Sequence, residues 1–305
     1  MTQVDIADLD VVFLTYDEAN KEDSWIDIQN MIPWAVRVDG VKGSDAAHKA
    51  AADASTTDRF ILIDGDNVPD AAFFNEILTL DDSNKDHVFR WRARNNINAL
   101  MYGNGGLSCW TKEFIYNMRT HEASDGSADT AVEFCFDPNY IAMHNVYSTT
   151  YPNSSAYHAW RAGFREGVKM CLDRGSRISV DEFQQRVKGQ NFNSLRIWHT
   201  IGRDVEWGED AILGARMGTA MTMLQDWDHV HVQSFDYLQD LWNEEVAGIN
   251  IERRCAELAS ELNRRLDLNI VEFDAAQSKF FKQCLAATHV QKSVMTTEQQ
   301  FQSKQ

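Results

Sequence analysis

ILIDGDNVPD, residues 61–70, is the stretch that decides the fold, because it couples a buried strand to a pair of carboxylates. The aliphatic residues 61–63 predict a strand buried on both faces, and the Asp and Gly residues that follow predict a turn at its carboxyl end. Open α/β sheets bind their ligands at this end of their strands. We therefore expect Asp64 and Asp66 to emerge together at the rim of a sheet, where two carboxylates favour a cation.

Short elements of alternating type surround this strand. Three further runs predict strands, namely VVFLTY (11–16), WAVRVDG (34–40) and HVFRWRARN (87–95). SDAAHKAAADAS (44–55) begins with an N-cap serine and predicts a helix, and Pro69 predicts the start of another over AAFFNEILTL (71–80). The segment between the first two strands reads as a polar loop. Strands and helices in alternation predict an α/β fold with helices on the faces of a sheet.

The pattern changes near residue 150. YIAMHNVYS (140–148) predicts a late strand, whereas the chain from Ala156 onward is patterned as helices. One predicted helix carries an amphipathic stripe at three- and four-residue steps, formed by Cys255, Leu258, Leu262 and Leu266. We expect three parts: an α/β core over 1–150, a helical extension over 151–290 and a flexible tail over 291–305.

The composition narrows the class of function. The formal net charge of −17 over 305 residues argues against a protein whose affinity comes mainly from nucleic-acid phosphates. WRARN (91–95) and WRAGFREGVK (160–169) nevertheless place positive charge beside aromatic rings, which can form a local basic groove. No apolar run approaches the roughly 18 residues that cross a bilayer, and the first residues lack a secretory signal. We expect a cytoplasmic protein without a membrane partner.

An Asp-x-Asp pair at a strand end fits two chemistries, besides a plain turn. In haloacid-dehalogenase-like phosphatases Asp64 would be the nucleophile and Asp66 the general acid. In glycosyltransferases of the GT-A fold the two carboxylates hold a divalent metal on the diphosphate of a nucleotide sugar. The phosphatase motif normally opens the first strand of its domain, whereas here about sixty residues of α/β pattern precede the pair. Position therefore favours the glycosyltransferase.

Four segments carry a family resemblance: FLTYDEANKEDSW, VDGVKGSDAAHKAAADA, FILIDGDN and YGNGG. Together they resemble a group of GT-A-like glycosyltransferases found with hypermodified DNA bases in bacteriophages, related to the base J glucosyltransferase of trypanosomes. The resemblance covers roughly residues 10–150, and AWRAGFREGVK and WGEDAILGARMG extend it more loosely. It implies a GT-A-like, Rossmann-type mixed sheet flanked by helices, with a mainly helical C-terminal part.

The resemblance also implies an activity. A hexose or pentose would pass from a nucleoside diphosphate sugar, a UDP-sugar in the first instance, to a hydroxyl acceptor. A hydroxymethylated base in phage DNA is the acceptor that the resemblance suggests, and the host cytoplasm would be the location. A non-catalytic module that binds a nucleotide sugar, a glycan or a protein partner remains a third class of function beside the transferase and the phosphatase.

Metal ligands follow from the same resemblance. Asp66 would bind Mn²⁺ or Mg²⁺ directly, and Asp64 would hold the metal or the hydroxyls of the donor sugar. His144, at the end of the YIAMH strand, is the candidate third ligand. A lone histidine on an apolar strand is otherwise a hydrogen-bonded core residue.

Donor-binding residues are expected on two loops. Tyr16, Asp17 and Glu18 follow the first strand, where the ring would stack on the nucleoside and an acid would accept from the base or ribose. A solvated acidic loop is the alternative. Lys42 and His48 flank the turn into the alanine-rich helix and would reach the diphosphate, unless they are ordinary surface residues.

Acceptor-side residues complete the expected site. Gly105 and Gly106 of YGNGG would let the acceptor approach the backbone closely, although a plain hairpin turn explains Asn104-Gly105 equally well. If the reaction inverts configuration, a carboxylate must take the proton of the acceptor hydroxyl. Glu206, Glu209 and Asp210 of DVEWGEDA are the acids to consider, with Glu206 and Asp210 as the catalytic candidates. An acid-rich helix start is the alternative explanation for Glu209 and Asp210.

Overall fold

The computed structural model describes residues 1–118, 120, 137–187 and 189–288. Strands and three helices make up the first half, in the order β1 (Thr2–Asp5), β2 (Asp10–Thr15), α1 (Lys21–Met31), β3 (Val36–Asp39), α2 (Ser44–Ala54), β4 (Arg59–Asp64), β5 (Asn67–Pro69), β6 (Ile77–Leu80), β7 (Val88–Asn95), β8 (Met101–Thr111), α3 (Lys112–Asn117) and β9 (Tyr140–Thr150). The second half is helical, with α4 (Ala156–Lys169), α5 (Phe183–Arg186), α6 (Gly189–Trp198), α7 (Gly208–Leu224), α8 (Phe235–Glu245), α9 (Ile251–Leu266) and α10 (Ala275–Thr288).

Seven strands form one mixed sheet in the order β3-β2-β4-β8-β7-β9-β5. Strand β2 runs parallel to β3 and β4, whereas β8 is antiparallel to its two neighbours, β4 and β7. Strand β9 is parallel to β7, and β5 closes the far edge antiparallel to β9. The mixed α/β architecture with a helical C-terminal part is therefore confirmed.

Helices cover both faces of the sheet because β4 is apolar on both sides. Ile61 and Ile63 pack in one cluster with Phe13 of β2 and Ile28 of α1. Phe60 and Leu62 pack in a second cluster on the opposite face, with Ala51 and Ala52 of α2 and with Trp110 of β8. Alternation along the strand sends successive side chains into different cores.

Two segments of the first half differ from the prediction. The predicted polar loop contains α1, whose narrow buried stripe comprises Ser24 and Ile28 and leaves little apolar signal. The helix predicted after Pro69 is wrong: a short 3₁₀ turn over Ala71–Asn75 leads into β6. The reason is long-range, because β6 pairs with β1 and the Tyr147 hydroxyl donates to the buried Glu76 carboxylate at 2.5 Å.

The helical half packs around a direct contact between α4 and α7. A Cβ on Gly163 would lie 1.9 Å from the Ala211 carbonyl oxygen, and one on Gly214 would lie 2.1 Å from the Trp160 carbonyl oxygen. The two backbones therefore touch, which only glycine permits at these positions. Helix α9, which also belongs to the helical half, has the predicted buried stripe of Cys255, Leu258, Leu262 and Leu266.

The helical core also receives residues from the first half. Ile97 and Leu100, in the connection between β7 and β8, belong to the same buried cluster as Trp160 and Leu262. In the portion of the chain that the structure describes, no helix has the length and apolar character needed to span a bilayer. The predicted tail over 291–305 lies outside the described residues.

Candidate functional site

Polar side chains gather at the carboxyl edge of the three parallel strands. Leu14 of β2 is level with Asp64 of β4, and Thr15 is level with Asp39 of β3. The Thr15 hydroxyl donates to Asp39 at 2.7 Å, and Lys21 Nζ forms an ion pair with the same carboxylate at 2.8 Å. These parallel strand ends lie where α/β sheets bind ligands.

Glu18 and the two aspartates form an acidic cluster at this edge. Glu18 lies against the backbone of Gly65, since a Cβ added there would be 2.8 Å from Glu18 Cδ. The Tyr16 amide donates to Glu18 Oε2 at 2.8 Å and fixes the carboxylate. Burial first, and then the charges of Asp66 and Glu18, raise the pKa of Asp64 to about 8. Burial and these neighbouring charges therefore favour the neutral form of the Asp64 carboxyl group.

Hydrogen bonds from Asn67 and from the end of β9 orient Asp66. The Thr150 hydroxyl donates to Asp66 Oδ2 at 2.9 Å, and the Asn67 amide donates to Oδ1 at 2.8 Å. The Tyr151 amide donates to the Asp66 carbonyl oxygen at 2.7 Å. Buried Asn67 is itself held by the Ser148 hydroxyl at 3.1 Å. Each oxygen of Asp66 keeps a further lone pair for a ligand.

Sequence reasoning missed these supporting residues. Asn67 stands directly after the aspartates, so its polarity in an apolar context was a usable signal. Nothing local connects Ser148 or Thr150 to the pair, because they follow more than eighty residues later. Asp39 was also overlooked. It ends β3 and is followed by a glycine, which is the same pattern that marked Asp64 at the end of β4.

The glycines of YGNGG lie in a strand and not in a hairpin turn. Both Gly105 and Gly106 belong to β8, so the hairpin explanation is wrong. A Cβ on Gly106 would lie 1.9 Å from Asn67 Nδ2, and the close approach of this amide is the physical reason for glycine there. The role of Gly105 and Gly106 at the acceptor remains a prediction.

The loop after β2 contacts the helical half. Asp17 Oδ1 lies 3.4 Å from His158 Nε2, and Asp17 Oδ2 lies 3.7 Å from Arg161 NH1 of α4. The contact with His158 and the charge of Arg161 hold the pKa of Asp17 below its usual range. Tyr16 is 43% exposed, so its ring is open to a ligand.

Lys42 and His48 have other surroundings. Exposed Lys42 lies 3.6 Å from Asp236 of α8, an ion pair between two solvated side chains. His48 Nδ1 lies 2.7 Å from the Ser44 carbonyl oxygen, and its ring packs edge-on against Trp110. Binding of a diphosphate by these two residues remains a prediction, and the packing of His48 on Trp110 supplies a structural role.

His144 lies inside β9 and not at its end. It lies six positions before Thr150, which contacts Asp66, and at about 3.3 Å per residue this places it roughly 20 Å back along the strand. Among the residues that the structure describes, no three His, Cys, Asp or Glu side chains are grouped as metal ligands. The structure therefore does not bring His144 to Asp64 and Asp66, because β9 continues past His144 to Thr150.

The acids of DVEWGEDA lie beside the same edge. Asn153, three residues beyond Thr150, donates through Nδ2 to the Glu206 carbonyl oxygen at 2.9 Å. The Glu206 side chain is exposed, whereas Asp210 is only 5% exposed in the first turn of α7. Burial raises the pKa of Asp210 to about 6. Glu209, between them, forms an ion pair with Arg203 at 3.1 Å.

Comparison of the chain with models of protein families, with curated protein sequences and with solved structures gives no significant match.

Proposed function

We propose that the protein is a metal-dependent glycosyltransferase of the GT-A type that uses a nucleoside diphosphate sugar, in the first instance a UDP-sugar. One observation carries the proposal: Asp64, Asp66 and Glu18 converge at the carboxyl end of the central strand β4. Carboxyl groups held this close hinder one another's ionisation, as the raised pKa of Asp64 reflects, and a cation would relieve the repulsion between their charged forms. Mixed α/β topology is compatible with a GT-A core.

The residues present suit Mg²⁺ or Mn²⁺ that is shared with a substrate. Such ions are typically held by one or two carboxylates together with phosphate oxygens and water, so a large protein cage is not required. Asp66, oriented by Thr150 and Asn67, would be the direct ligand, with Asp64 beside it. When bound, the ion would neutralise charge that develops on the leaving diphosphate. Glu18 and the exposed Tyr16 would border the nucleoside.

Asp210 is the better candidate for the group that accepts the acceptor proton. A base with a pKa of about 6 is ionised at neutral pH and still basic enough to take a proton in the transition state. Glu206 is exposed, which leaves its carboxylate solvated. The Asn153 link between the end of β9 and the loop before α7 supports a shared cleft. The DNA base remains the acceptor that the resemblance implies.

A binding experiment tests the proposal. We expect UDP with Mn²⁺ to raise the melting temperature, by an amount set by ligand concentration over Kd. Asp66→Ala and Asp66→Asn should abolish this rise. Asp8→Asn is the matched control, because Asp8 is an exposed acid that precedes β2 at the opposite edge of the sheet. The absence of a response to every nucleoside diphosphate with metal would contradict the proposal.

Turnover separates the three classes of function. A transferase releases UDP from a UDP-sugar, slowly to water and faster with an acceptor. A phosphatase instead hydrolyses a generic aryl phosphate with Mg²⁺, through Asp64 as nucleophile. A non-catalytic module binds UDP and Mn²⁺ but does neither.

A further inference from the structure

Two neighbouring arginines of β7 have no acidic partner within the described part of the chain. Arg90 and Arg92 occupy alternate positions of the strand, and neither donates a hydrogen bond or forms an ion pair with any residue that the structure describes. The Nε of Arg90 is buried and without a partner, while its guanidinium lies 5.2 Å from the centre of the Tyr140 ring. Both side chains are half-buried, and the Nε of Arg90 is a buried donor that lacks an acceptor.

The unpaired state is unusual in so acidic a chain. The protein has 46 acidic residues against 29 Lys and Arg, so acceptors for cations are abundant. Arg37 and Arg203, for example, each form an ion pair with Glu22 and Glu209 respectively. Burial, and then the charge of Arg90, lower the pKa of Arg92. The fold thus holds two like charges close together, and a bound anion would relieve both the repulsion and the unmet hydrogen bonding.

The arginines share a face of the sheet with Asp64. Phe60 and Leu62 of β4 pack in the same cluster as Val88 of β7, whereas Phe89 and Trp91 pack on the opposite face. By alternation Asp64 follows Leu62, and Arg90 and Arg92 follow Val88. The face that carries the arginines is therefore the one toward which Asp64 projects.

The strand register gives the separation. Leu62 is level with Ser108 of β8, and Ser108 is level with Arg90 of β7. Two strand spacings of about 4.8 Å separate Leu62 of β4 from Arg90 of β7, which amounts to about 10 Å. The register between β7 and β8 shifts after Arg90, so that Arg92 is level with Gly103. Strand β7 runs in the same direction as β4, so Arg92 is nearer than Arg90 to the edge that carries the acidic cluster. An anion on these arginines would lie on the same face of the sheet as Asp64, beside the acidic cluster.

We propose that Arg90 and Arg92 bind a phosphate ester of the acceptor substrate. The term acceptor rests on the proposed function, in which the donor diphosphate lies at Asp66, two strands away. Arginine suits this ligand because its planar fork matches phosphate oxygens in a bidentate manner. The phosphate ester has two possible sources, a small phosphorylated acceptor or a phosphodiester within a nucleic-acid strand, and both present the same group.

Two probes distinguish these sources. Inorganic phosphate is titrated by calorimetry, and a short fluorescein-labelled single-stranded oligodeoxynucleotide by anisotropy. Arg92→Gln removes one guanidinium, and Arg265→Gln is the matched control, since Arg265 is an exposed arginine in the last turn of α9. We expect binding of at least one probe to fall about tenfold or more in Arg92→Gln, from the loss of charge-assisted hydrogen bonds, and to be unchanged in Arg265→Gln. The probe that responds identifies the source.

A measurement on the unaltered protein guards against misfolding of the variant. Sodium phosphate should raise the melting temperature more than sodium chloride of equal ionic strength. The proposal is overturned if the unaltered protein binds neither probe, or if the two variants bind the probes equally.

Binding of UDP with Mn²⁺ is the measurement that separates this inference from the proposed function. Retention of this binding in Arg92→Gln supports a second anion site, whereas a loss equal to that of Asp66→Asn assigns the arginines to the donor and overturns the proposal. If the unaltered protein does not bind UDP with Mn²⁺ but binds phosphate through Arg92, the anion site stands and the glycosyltransferase assignment fails.

Discussion

The carboxylate of Glu18 fills the space above Gly65, with its Cδ 2.8 Å from the position that a Cβ on Gly65 would occupy. This contact joins the loop after β2 to the turn after β4. It brings a third carboxyl group beside Asp64 and Asp66, which the Asp-Gly-Asp string alone does not contain. The glycine is required by Glu18 and not by a positive φ, since Gly65 is absent from the residues with such a backbone.

Gly65→Ala should displace Glu18 while the fold is retained. The clash involves the end of a flexible side chain, so we expect a loss of about 1 kcal/mol in the free energy of unfolding, comparable with one hydrogen bond. Affinity for UDP with Mn²⁺ should fall, and urea denaturation and calorimetry measure the two effects. Gly189→Ala is the control, because no atom lies within 4 Å of its added Cβ. Unchanged affinity in Gly65→Ala would exclude Glu18 from the site.

The raised pKa of Asp64 predicts a dependence of stability on pH. Burial and its acidic neighbours raise this pKa from 3.8 to about 8, so between these values the folded protein binds more protons at Asp64 than the unfolded chain. The contribution of Asp64 to the free energy of unfolding therefore falls as the pH rises from about 4 to 8. The difference in free energy of unfolding between Asp64→Asn and the unaltered protein should therefore shift in favour of the variant from pH 5 to pH 9. Parallel pH profiles of the two proteins would contradict the prediction.

Thr150→Val should weaken metal-dependent UDP binding without disrupting β9. The substitution removes the hydroxyl that donates to Asp66 Oδ2 at 2.9 Å, which leaves the carboxylate less well oriented. We expect a several-fold weaker affinity and a loss of stability of about 1 kcal/mol. Thr149→Val is the matched control, since Thr149 projects from the other face of the strand. Equal affinities of the two variants would show that Thr150 does not position Asp66.

Gly214→Ala should destabilise the helical half strongly. Its Cβ would lie 2.1 Å from the Trp160 carbonyl oxygen, and neither backbone can move without separating α4 from α7. Overpacking of this kind typically costs about 1–3 kcal/mol or more in the free energy of unfolding. Urea denaturation measures the loss, with Gly189→Ala again as the reference. A stability equal to that of Gly189→Ala would disprove the direct contact of the helices.

Asp210→Asn should lower kcat about 10²-fold or more if Asp210 is the general base. Binding of UDP with Mn²⁺ should be retained, because this residue is not expected to touch the donor. In the unaltered enzyme kcat should rise with pH through about 6 and then level off, as the carboxylate loses its proton. Glu206→Gln should have a smaller effect, since Glu206 is exposed. An unchanged kcat in Asp210→Asn would move the role to another residue.

The parts of the fold that follow from local periodicity were predictable. The apolar run of β4, the alternation in β7 and the stripe of Cys255, Leu258, Leu262 and Leu266 in α9 each leave a signal within ten to fifteen residues. Helix α1 was missed because its buried stripe is too narrow to register, and β6 because an apolar run of four residues is compatible with either a strand or a helix.

The sequence by itself determined that Asp64 and Asp66 end a buried strand, because the apolar run and the turn that follows it are local properties of the chain. Only the tertiary structure decided which groups surround them. Thr150 donates to Asp66 although 84 residues separate them in sequence. Glu18, in the loop after β2, contacts Gly65 in the turn after β4. It equally decided that Arg90 and Arg92 have no acidic partner among the residues that the structure describes. Strand order and the partners of buried charges depend on contacts between distant segments, and such contacts leave no periodic trace in the sequence.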